Sequence, residues 1–258
     1  MFLGMDIGSS SSKAALINDK KELVGCSVVN MGTGTNGPEE ALEEVLRIAG
    51  VGRKDIRYTV ATGYGRVIYH NADSQITEIS CHAKGVSFLM DDVETVIDIG
   101  GQDSKVIKID KDGKVKNFVM NEKCAAGTGR FLEVMARVLG CGIDELSGLA
   151  DKSTIDIPIS SVCTVFAESE VISRLASGAK REDVAKGAHV AIVKRIAGMC
   201  NRVGYRPIIA MTGGVALNGN IVRLMGEELG QLVVAAPYPQ AVGAIGAAAF
   251  ASEKWKRG

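Results

Sequence analysis

Short apolar runs alternate with amphipathic stretches along most of the chain, and this alternation predicts an α/β fold. The first three apolar runs are predicted strands: Leu3–Ile7, Ala14–Ile17 and Val24–Val29. A helical periodicity follows over Pro38–Ala49, with proline in its first turn and two glutamates directly after it. A further strand is predicted at Thr59–Ala61, before a glycine-containing turn. Strands and helices therefore alternate from the beginning of the sequence.

The opening three-strand pattern returns later in the chain, where strands are predicted at Thr95–Ile99, Lys105–Ile109 and Val115–Met120. Asp6–Lys13 aligns with Asp98–Lys105 at an offset of 92, and five of the eight positions are identical. We interpret the repeat as two related lobes, 1–92 and 93–258, with the last helix able to pack back on the first lobe. Coincidence between two glycine hairpins is the alternative. Ligands of such folds favour inter-domain clefts and the carboxyl ends of strands.

Composition restricts the class of protein. The 258 residues are 46% hydrophobic and 23% charged, which is the range of globular domains. Thirty basic and thirty acidic residues balance, and this argues against binding to a nucleic-acid backbone. No secretory signal is visible, and prolines interrupt the charge-free stretch Leu232–Ala251, which we interpret as a strand, a loop and a packed helix. We expect a cytoplasmic protein without nucleic-acid or membrane partners.

The two hairpin turns have the features of phosphate-binding loops. Glycines allow the backbone to approach an anion, and serine hydroxyls and a lysine add donors and positive charge. Asp6 and Asp98 stand where a strand ends, a position from which a carboxylate holds Mg²⁺ through water. The predicted phosphate contacts are Ser9, Ser10, Ser11, Ser12, Lys13, Gly100, Gly101 and Gln102. Gln102 and Asp103 are both candidates for positioning an attacking water.

A third glycine turn follows the strand predicted at Ile208–Met211, and a helix is predicted to begin near Ala216. A plain strand-to-helix turn is the alternative. The three turns together resemble the acetate and sugar kinase, heat-shock chaperone and actin superfamily. The resemblance implies ATP binding between two ribonuclease-H-like lobes. It also implies nucleoside contacts at Gly213, Gly214 and Asn218, with Gln240 as a further candidate.

Two of the six cysteines lie in unusual contexts. Cys124 precedes a predicted helix with an apolar stripe, among small residues, and Cys163 begins a second helix. That second helix is predicted to turn four apolar side chains inward: Val165, Phe166, Ile172 and Leu175. A helix N-terminus stabilises a thiolate, and thiolates ligate iron–sulfur clusters. Inert packed thiols are the alternative. Because a [4Fe-4S] cluster takes four thiolates, ligation requires two more from a second copy, in a homodimer.

Five segments carry a closer resemblance: Thr62–Arg66, Ser80–His82, Asp98–Lys105, Cys124–Glu133 and Cys163–Val171. Together they resemble the ATPase activators of 2-hydroxyacyl-CoA dehydratases, in the BadF/BadG/BcrA/BcrD ATPase family. The resemblance implies that Cys124 and Cys163 hold a cluster shared by an oxygen-sensitive homodimer. It further implies ATP-coupled transfer of one electron to a dehydratase, with ferredoxin or flavodoxin as donor. A small-molecule kinase and a nucleotide-dependent regulator are the alternatives. The three histidines are interpreted as structural or surface residues: His70, His82 and His189.

Overall fold

Two five-stranded sheets form the framework of the computed structural model, which describes residues 1–160 and 163–256. The first sheet contains β1 (Phe2–Ile7), β2 (Ser12–Ile17), β3 (Leu23–Val29), β4 (Tyr58–Thr62) and β5 (Ser74–Gln75), in the order β3-β2-β1-β4-β5. The second contains β6 (Thr95–Ile99), β7 (Ser104–Ile109), β8 (Val115–Asn121), β9 (Ile209–Thr212) and β10 (Val233–Ala235), in the order β10-β9-β6-β7-β8. In both sheets the first strand pairs antiparallel with the second and parallel with the fourth.

The helices are α1 (Gly37–Ala49), α2 (Glu78–Leu89), α3 (Gly129–Leu139), α4 (Leu146–Ala150), α5 (Thr164–Ala176), α6 (Arg181–Val203), α7 (Gly219–Leu229) and α8 (Val242–Trp255). The chain divides into two compact units. The first unit comprises residues 1–93, 109–116 and the chain from 236 onward. The second comprises residues 94–108 and 117–235. The last helix thus lies in the same unit as β1–β5.

The first unit is built around strands that are buried on both faces. Along β2, Ala14 and Leu16 face the side covered by α1, and Ala15 and Ile17 face the side covered by α8. Helix α8 is rich in alanine and glycine because it packs very close to β1, where a Cβ on Gly4 would overlap the helix backbone. None of the helices in the described ranges is both long and apolar enough to cross a membrane.

The second unit has one continuous core, in which Ile97 and Ile99 of β6 pack with α3, α6 and α7. The apolar stripe predicted for α3 is confirmed, because its four larger residues are almost fully buried: Phe131, Leu132, Met135 and Leu139. The predicted strands agree with the observed ones to within one or two residues, and Thr95–Ile99 agrees at both ends. In the first unit a single α-helix, α1, lies between the third and fourth strands, whereas four helices, α3–α6, lie between β8 and β9.

Candidate functional site

The turn between β1 and β2 is a tight loop beside a buried carboxylate. The Gly8 N–H donates to the Ser11 carbonyl at 3.0 Å, and a Cβ on Gly8 would lie 2.9 Å from that oxygen. Asp6 is only 5% exposed, and its Oδ2 lies 3.6 Å from Nζ of Lys13. The carboxylate and the ammonium group are thus close enough to attract each other, but they do not form a short hydrogen bond.

The four serines of this turn divide into two groups. The side chain of Ser12 is fully buried, and its hydroxyl donates to the carbonyl of Met31 at 2.8 Å. Ser9–Ser11 are exposed or half-buried. The turn therefore leaves three serines accessible, whereas the hydroxyl proton of Ser12 is used inside the fold.

A glycine elbow after β4 touches the same carboxylate. Gly63 has a φ of 84°, and a Cβ there would lie 2.5 Å from Oδ1 of Asp6, so both the backbone conformation and the space require glycine. A short 3-10 helix, Tyr64–Ile68, follows at once. Asp6 thus lies between a hairpin turn on one side and a glycine elbow on the other.

The turn between β6 and β7 repeats this plan with tighter side-chain bonding. Asp98 is 3% exposed, and it accepts hydrogen bonds from Oγ1 of Thr212 at 2.8 Å and from Nζ of Lys105 at 3.1 Å. Lys105 also pairs with Asp103 at 2.7 Å. The Gly100 N–H donates to the Asp103 carbonyl at 3.0 Å and closes the turn as in the first hairpin.

The second hairpin turn is bonded directly to α3. The Gly129 N–H donates to the Gly100 carbonyl at 2.8 Å, and the Arg130 N–H donates to the Gly101 carbonyl at 2.9 Å. The first N–H groups of a helix have no partner within the helix, and here the turn satisfies two of them. The start of α3 is therefore fixed to the predicted phosphate-binding turn.

The third turn begins with an elbow like the one after β4. Gly213 has a φ of 82°, and a 3-10 helix, Gly214–Leu217, follows it. The helix start predicted near Ala216 falls within this 3-10 helix, and the α-helix begins three residues later. Helix α7 begins at Gly219 because Asn218 is its N-cap, whose side chain accepts the backbone N–H three residues later at 3.0 Å.

A buried histidine of α6 supports this third turn. Nδ2 of Asn218 lies 3.2 Å from Nε2 of His189, and Nδ1 of His189 lies 2.8 Å from Oδ1 of Asn220. An amide nitrogen only donates and an amide oxygen only accepts, so the ring is neutral with its proton on Nδ1. Burial lowers the pKa of His189. His189 is thus a structural residue of the turn.

The nucleoside candidates lie in different units. Gly213, Gly214 and Asn218 belong to the second unit. The glycine backbone is accessible there, whereas Asn218 is buried and its amide is engaged at both ends. Gln240 is half-buried in the segment before α8 and belongs to the first unit. Within the third turn, the accessible surface is therefore the one at the two glycines.

Cys124 lies in the loop between β8 and α3, and side chains hold the backbone of this loop. Nδ2 of Asn121 donates to the carbonyls of Cys124 at 2.9 Å and Ala126 at 3.1 Å. Oγ1 of Thr128 donates to the carbonyl of Ala125 at 2.7 Å. Three consecutive carbonyls are therefore hydrogen-bonded, and Cys124 itself is half-buried.

Cys163 is the N-cap of α5, and its carbonyl accepts the Ala167 N–H at 3.0 Å. It is half-buried. The chain before it is held to the same helix, because the Ser160 N–H donates to Oε2 of Glu170 at 2.9 Å. The ion pair between Glu170 and Arg174 that the i, i+4 spacing indicates is present at 3.2 Å. Cys163 thus stands at a helix start, whereas Cys124 lies in the loop before the N-cap of α3, Thr128. Both cysteines belong to the second unit.

The predicted burial of the apolar side chains of α5 is wrong at three of four positions. Val165, Phe166 and Ile172 are 64%, 67% and 53% exposed, and Leu175 is half-buried. The helix instead buries Ala167 and Val171, which lie four residues apart on one face. The larger apolar side chains consequently form an exposed surface that begins within one turn of Cys163. We call Val165, Phe166 and Ile172 the α5 apolar surface.

Burial raises the pKa of four of the six free cysteines. The pKa rises to about 12 for Cys81 and Cys200, and it is also raised for Cys26 and Cys141. A thiol with a raised pKa is a poor source of the thiolate that metals bind. Among the residues the structure describes, no three metal-ligating side chains come together. Cys124 and Cys163 are half-buried thiols, and the described residues do not complete a set of three ligands around either of them.

Sequence reasoning did not find the partners of the two aspartates. Thr62 and Thr212 occupy the same register beside Asp6 and Asp98, and each precedes a glycine elbow. The Thr-Gly dipeptide was the available signal. Thr-Gly occurs four times in the sequence, and the two copies that end a strand, at Thr62 and Thr212, are 150 residues apart, whereas the hairpins are 92 apart. A search at one offset therefore misses them. The difference reflects the longer helical segment between β8 and β9, which carries both Cys124 and Cys163.

Comparison with known proteins identifies relatives over nearly the whole chain. The model of the BadF/BadG/BcrA/BcrD ATPase family matches residues 3–251. An activator of lactoyl-CoA dehydratase from Anaerotignum propionicum is 52% identical over 251 residues, which are 97% of each chain. The (R)-2-hydroxyglutaryl-CoA dehydratase activating ATPase of Acidaminococcus fermentans is 49% identical, over 98% of this chain and 97% of its own.

Solved structures agree with this assignment. The activator of the 2-hydroxyisocaproyl-CoA dehydratase from Clostridium difficile, with bound ADPNP, superposes with a TM-score of 0.96 at 46% identity, over 100% of this chain and 96% of its own. A ROK family glucokinase from Streptomyces griseus superposes with a TM-score of 0.58 at 15% identity, over 98% of this chain and 99% of its own. The latter likeness concerns the fold alone, and it confirms the predicted superfamily fold of two ribonuclease-H-like lobes.

Proposed function

Because the chain belongs to the BadF/BadG/BcrA/BcrD ATPase family, we propose that it is an ATP-hydrolysing activator that transfers one low-potential electron at a time to a 2-hydroxyacyl-CoA dehydratase. One observation carries the proposal: the loop of Cys124 leads into α3, whose first N–H groups are bonded to the turn at Gly100 and Gly101. A candidate cluster ligand and a candidate phosphate-binding turn thus share one rigid connection. The names of the relatives point to the same activity.

We assign the nucleotide to the three turns. Their accessible serines and glycines and the ammonium group of Lys13 suit phosphate, and Mg²⁺ would be held through water by Asp6 and Asp98. Asp98 already accepts two hydrogen bonds, so Asp6 has the greater freedom to bind a water of the ion. The proposed phosphate contacts are Ser9–Lys13 and Gly100–Gln102, and the proposed nucleoside contacts are Gly213, Gly214, Asn218 and Gln240.

Gln102 is the better of the two candidates for orienting the attacking water. The carboxylate of Asp103 is already engaged by the buried Lys105 at 2.7 Å. Gln102 is exposed on the same turn, and its amide offers both a donor and an acceptor. We therefore assign the water-positioning role to Gln102 and a structural role to Asp103.

We assign Cys124 and Cys163 as this chain's ligands of a [4Fe-4S] cluster shared with a second copy. When bound, such a cluster supplies a one-electron carrier whose potential depends on charge, hydrogen bonds and solvent exposure. Cys163 is the N-cap of α5, and Cys124 lies in the loop that leads into α3. The α5 apolar surface adjoins Cys163, which supports an assembly in which a second protein covers it.

The proposed assembly is an oxygen-sensitive homodimer working in the cytoplasm. Ferredoxin or flavodoxin would donate the electron, and the dehydratase would accept it. All six cysteines are free thiols, as is usual in a reducing compartment. ATP binding at the turn of Gly100–Gln102 would change the start of α3 and thereby the surroundings of Cys124.

Anaerobic purification tests this proposal. We expect about four iron atoms per dimer, loss of iron in Cys124→Ser with ATP binding retained, and normal iron content in the matched control Cys141→Ser. Cys141 is suited as the control because it is also half-buried but is not a proposed ligand. Iron-free wild-type protein that still binds ATP would contradict the proposal and favour a regulator. A phosphorylated small-molecule product would favour a kinase.

A further inference from the structure

The geometry points to Asn121 as a positioning residue that fastens the Cys124 loop to the second hairpin turn, so that nucleotide bound at the turn changes the exposure of the Cys124 thiol. This inference rests on the proposed function, because it takes Gly100–Gln102 as phosphate contacts and Cys124 as a cluster ligand. It goes beyond that function because Asn121 is neither a proposed phosphate contact nor a proposed cluster ligand.

One side-chain amide makes the connection. Asn121 is the last residue of β8, and its Nδ2 lies 2.9 Å from the carbonyl of Cys124, 3.1 Å from that of Ala126 and 3.5 Å from Oγ of Ser104. An amide nitrogen has two protons, and the two shorter contacts are the stronger hydrogen bonds. Ser104 is the first residue of β7, directly after the turn. Asn121 therefore holds the cysteine loop by two hydrogen bonds from the end of β8, and β8 lies beside β7, whose first residue follows the hairpin turn.

A second connection reaches the same loop from its other end. The N–H groups of Gly129 and Arg130, at the start of α3, donate to the carbonyls of Gly100 and Gly101 in the turn. The loop of residues 122–128 is thus anchored to the hairpin before and after the cysteine. A shift of the turn on nucleotide binding would move both anchors, and the intervening carbonyls are already hydrogen-bonded. The loop is therefore expected to move with its anchors.

Asparagine is the residue that this geometry requires. Aspartate has the same shape but no N–H donor, and at position 121 it would place a carboxylate against two carbonyl oxygens. Asn121→Asp is therefore expected to release the loop without changing the volume of the side chain. Asn117 lies on the same strand and is exposed, so Asn117→Asp makes the same change of charge away from the cysteine loop and serves as the matched control.

The test measures alkylation of individual thiols in the iron-free full-length chain. Iodoacetamide labelling followed by peptide mass mapping gives a rate for Cys124, with Cys141 as internal reference. We expect Asn121→Asp to raise the Cys124 rate roughly 5- to 30-fold, the effect of losing one or two net hydrogen bonds. In wild type and Asn117→Asp, a non-hydrolysable ATP analogue with Mg²⁺ should slow Cys124 labelling. In Asn121→Asp this response should be lost, although the analogue still binds.

Equal Cys124 alkylation rates and equal nucleotide responses in Asn121→Asp and wild type would overturn the inference. So would a wild-type Cys124 whose alkylation rate does not change when the analogue binds. If Asn121→Asp does not fold, Thr128→Val is used in its place to test whether these loop hydrogen bonds protect Cys124. It removes the hydrogen bond to the Ala125 carbonyl with little change in side-chain volume, and it is expected to accelerate Cys124 labelling in the same way. Iron content is measured on the anaerobic wild-type preparation before its iron is removed for labelling, and analogue affinity is measured on the same preparation. Failure of those two measurements contradicts the proposed function, whereas an unresponsive thiol in a protein that passes both contradicts only the role of Asn121.

Discussion

The hairpins of Asp6 and Asp98 share one backbone plan but differ in side-chain bonding. In each sheet the aspartate is in register with a lysine on the next strand and a threonine on the parallel strand: Asp6 with Lys13 and Thr62, and Asp98 with Lys105 and Thr212. In the second unit the lysine and the threonine both bond the aspartate, at 3.1 Å and 2.8 Å. In the first unit the lysine stands 3.6 Å away. The hydroxyl of Thr62 is buried without a hydrogen bond of good geometry in the described part of the chain.

The difference indicates that duplication preserved the fold while the two aspartates diverged in role. A carboxylate that is bonded at both oxygens is fixed, and it organises the turn around it. A carboxylate with one distant partner is free to reorient toward a hydrated ion. The proposed activity therefore assigns the more direct contact with Mg²⁺-bound water to Asp6 and the more structural role to Asp98. Three sets of variants test whether this contrast holds.

The largest expected effect follows from replacing the two lysines by methionine. Lys105 is almost fully buried between Asp98 and Asp103, so Lys105→Met leaves a buried carboxylate without its partner and is expected to lower the free energy of unfolding by about 3–5 kcal/mol. Lys13→Met is expected to cost less, about 1–3 kcal/mol, because its ammonium group stands 3.6 Å from Asp6 and makes no short hydrogen bond to it. It is also expected to weaken ATP binding. Urea denaturation and nucleotide titration measure the two effects.

Lys108→Met is the matched control, since Lys108 is a half-buried lysine on the same strand as Lys105. It is expected to change neither stability nor ATP affinity appreciably. Equal losses of stability in Lys105→Met and Lys13→Met would show that the two ion pairs are equivalent, and the contrast between the hairpins would then be wrong.

Replacing the two threonines by valine is expected to change the free energy of unfolding differently in the two units. Thr212→Val removes a hydrogen bond to a buried carboxylate and is expected to destabilise the chain by about 1.5–3 kcal/mol. Thr62→Val replaces a poorly bonded buried hydroxyl by a methyl group of similar size, and it is expected to be neutral or stabilising by up to about 1 kcal/mol. Urea midpoints of the nucleotide-free chain compare them. Destabilisation by Thr62→Val to the same degree as Thr212→Val would mean that the two sites are bonded alike.

Much of this architecture is predictable from the sequence because strands buried on both faces leave continuous apolar runs. The matching Asp-x-Gly turns indicate from the sequence alone that the strand–turn–strand unit is repeated. The burial of α5 was not predictable. Val165, Phe166 and Ile172 are exposed, yet an apolar residue that contacts a second protein has the same sequence pattern as one that contacts its own core. The start of α7 was predicted three residues too early because the 3-10 helix of Gly214–Leu217 is also compatible with a helical pattern.

Residues of the candidate site were predictable where the residue type itself indicates the chemistry. They were missed where their role depends on which residues the folded chain brings side by side. Cys124 and Cys163 stood out as cysteines before amphipathic helices. The contribution of Asn121 depends on how the loop that follows it folds back on its side-chain amide, which the residue type alone does not specify. Thr212 likewise acts on Asp98 only because two strands pair in one particular register. The hydrogen bond from Thr212 to Asp98 joins residues 114 positions apart, so local sequence patterns do not contain it.

The smallest expected effect concerns the elbows, and it is a dependence of stability on pH. The elbow at Gly213 is supported by the neutral His189 through Asn218, and burial lowers the pKa of this histidine from its ordinary value of 6.5. Below that pH the unfolded chain takes up a proton that the folded chain excludes. Unfolding is therefore favoured as the pH falls from about 6.5 toward the folded-state pKa, by at most about 1.4 kcal/mol per pH unit.

His189→Gln keeps a donor and an acceptor but removes the titrating group, so its free energy of unfolding is expected to vary less between pH 5.5 and 7.5 than that of wild type. Urea denaturation at several pH values measures the slope. His70→Gln is the control, because His70 is exposed and its loss is expected to leave the slope unchanged. The His189 ring also lies near Asp151, whose charge opposes the effect of burial. A slope that stays the same in His189→Gln would mean that the protonation of this ring does not contribute to the support of the elbow at Gly213.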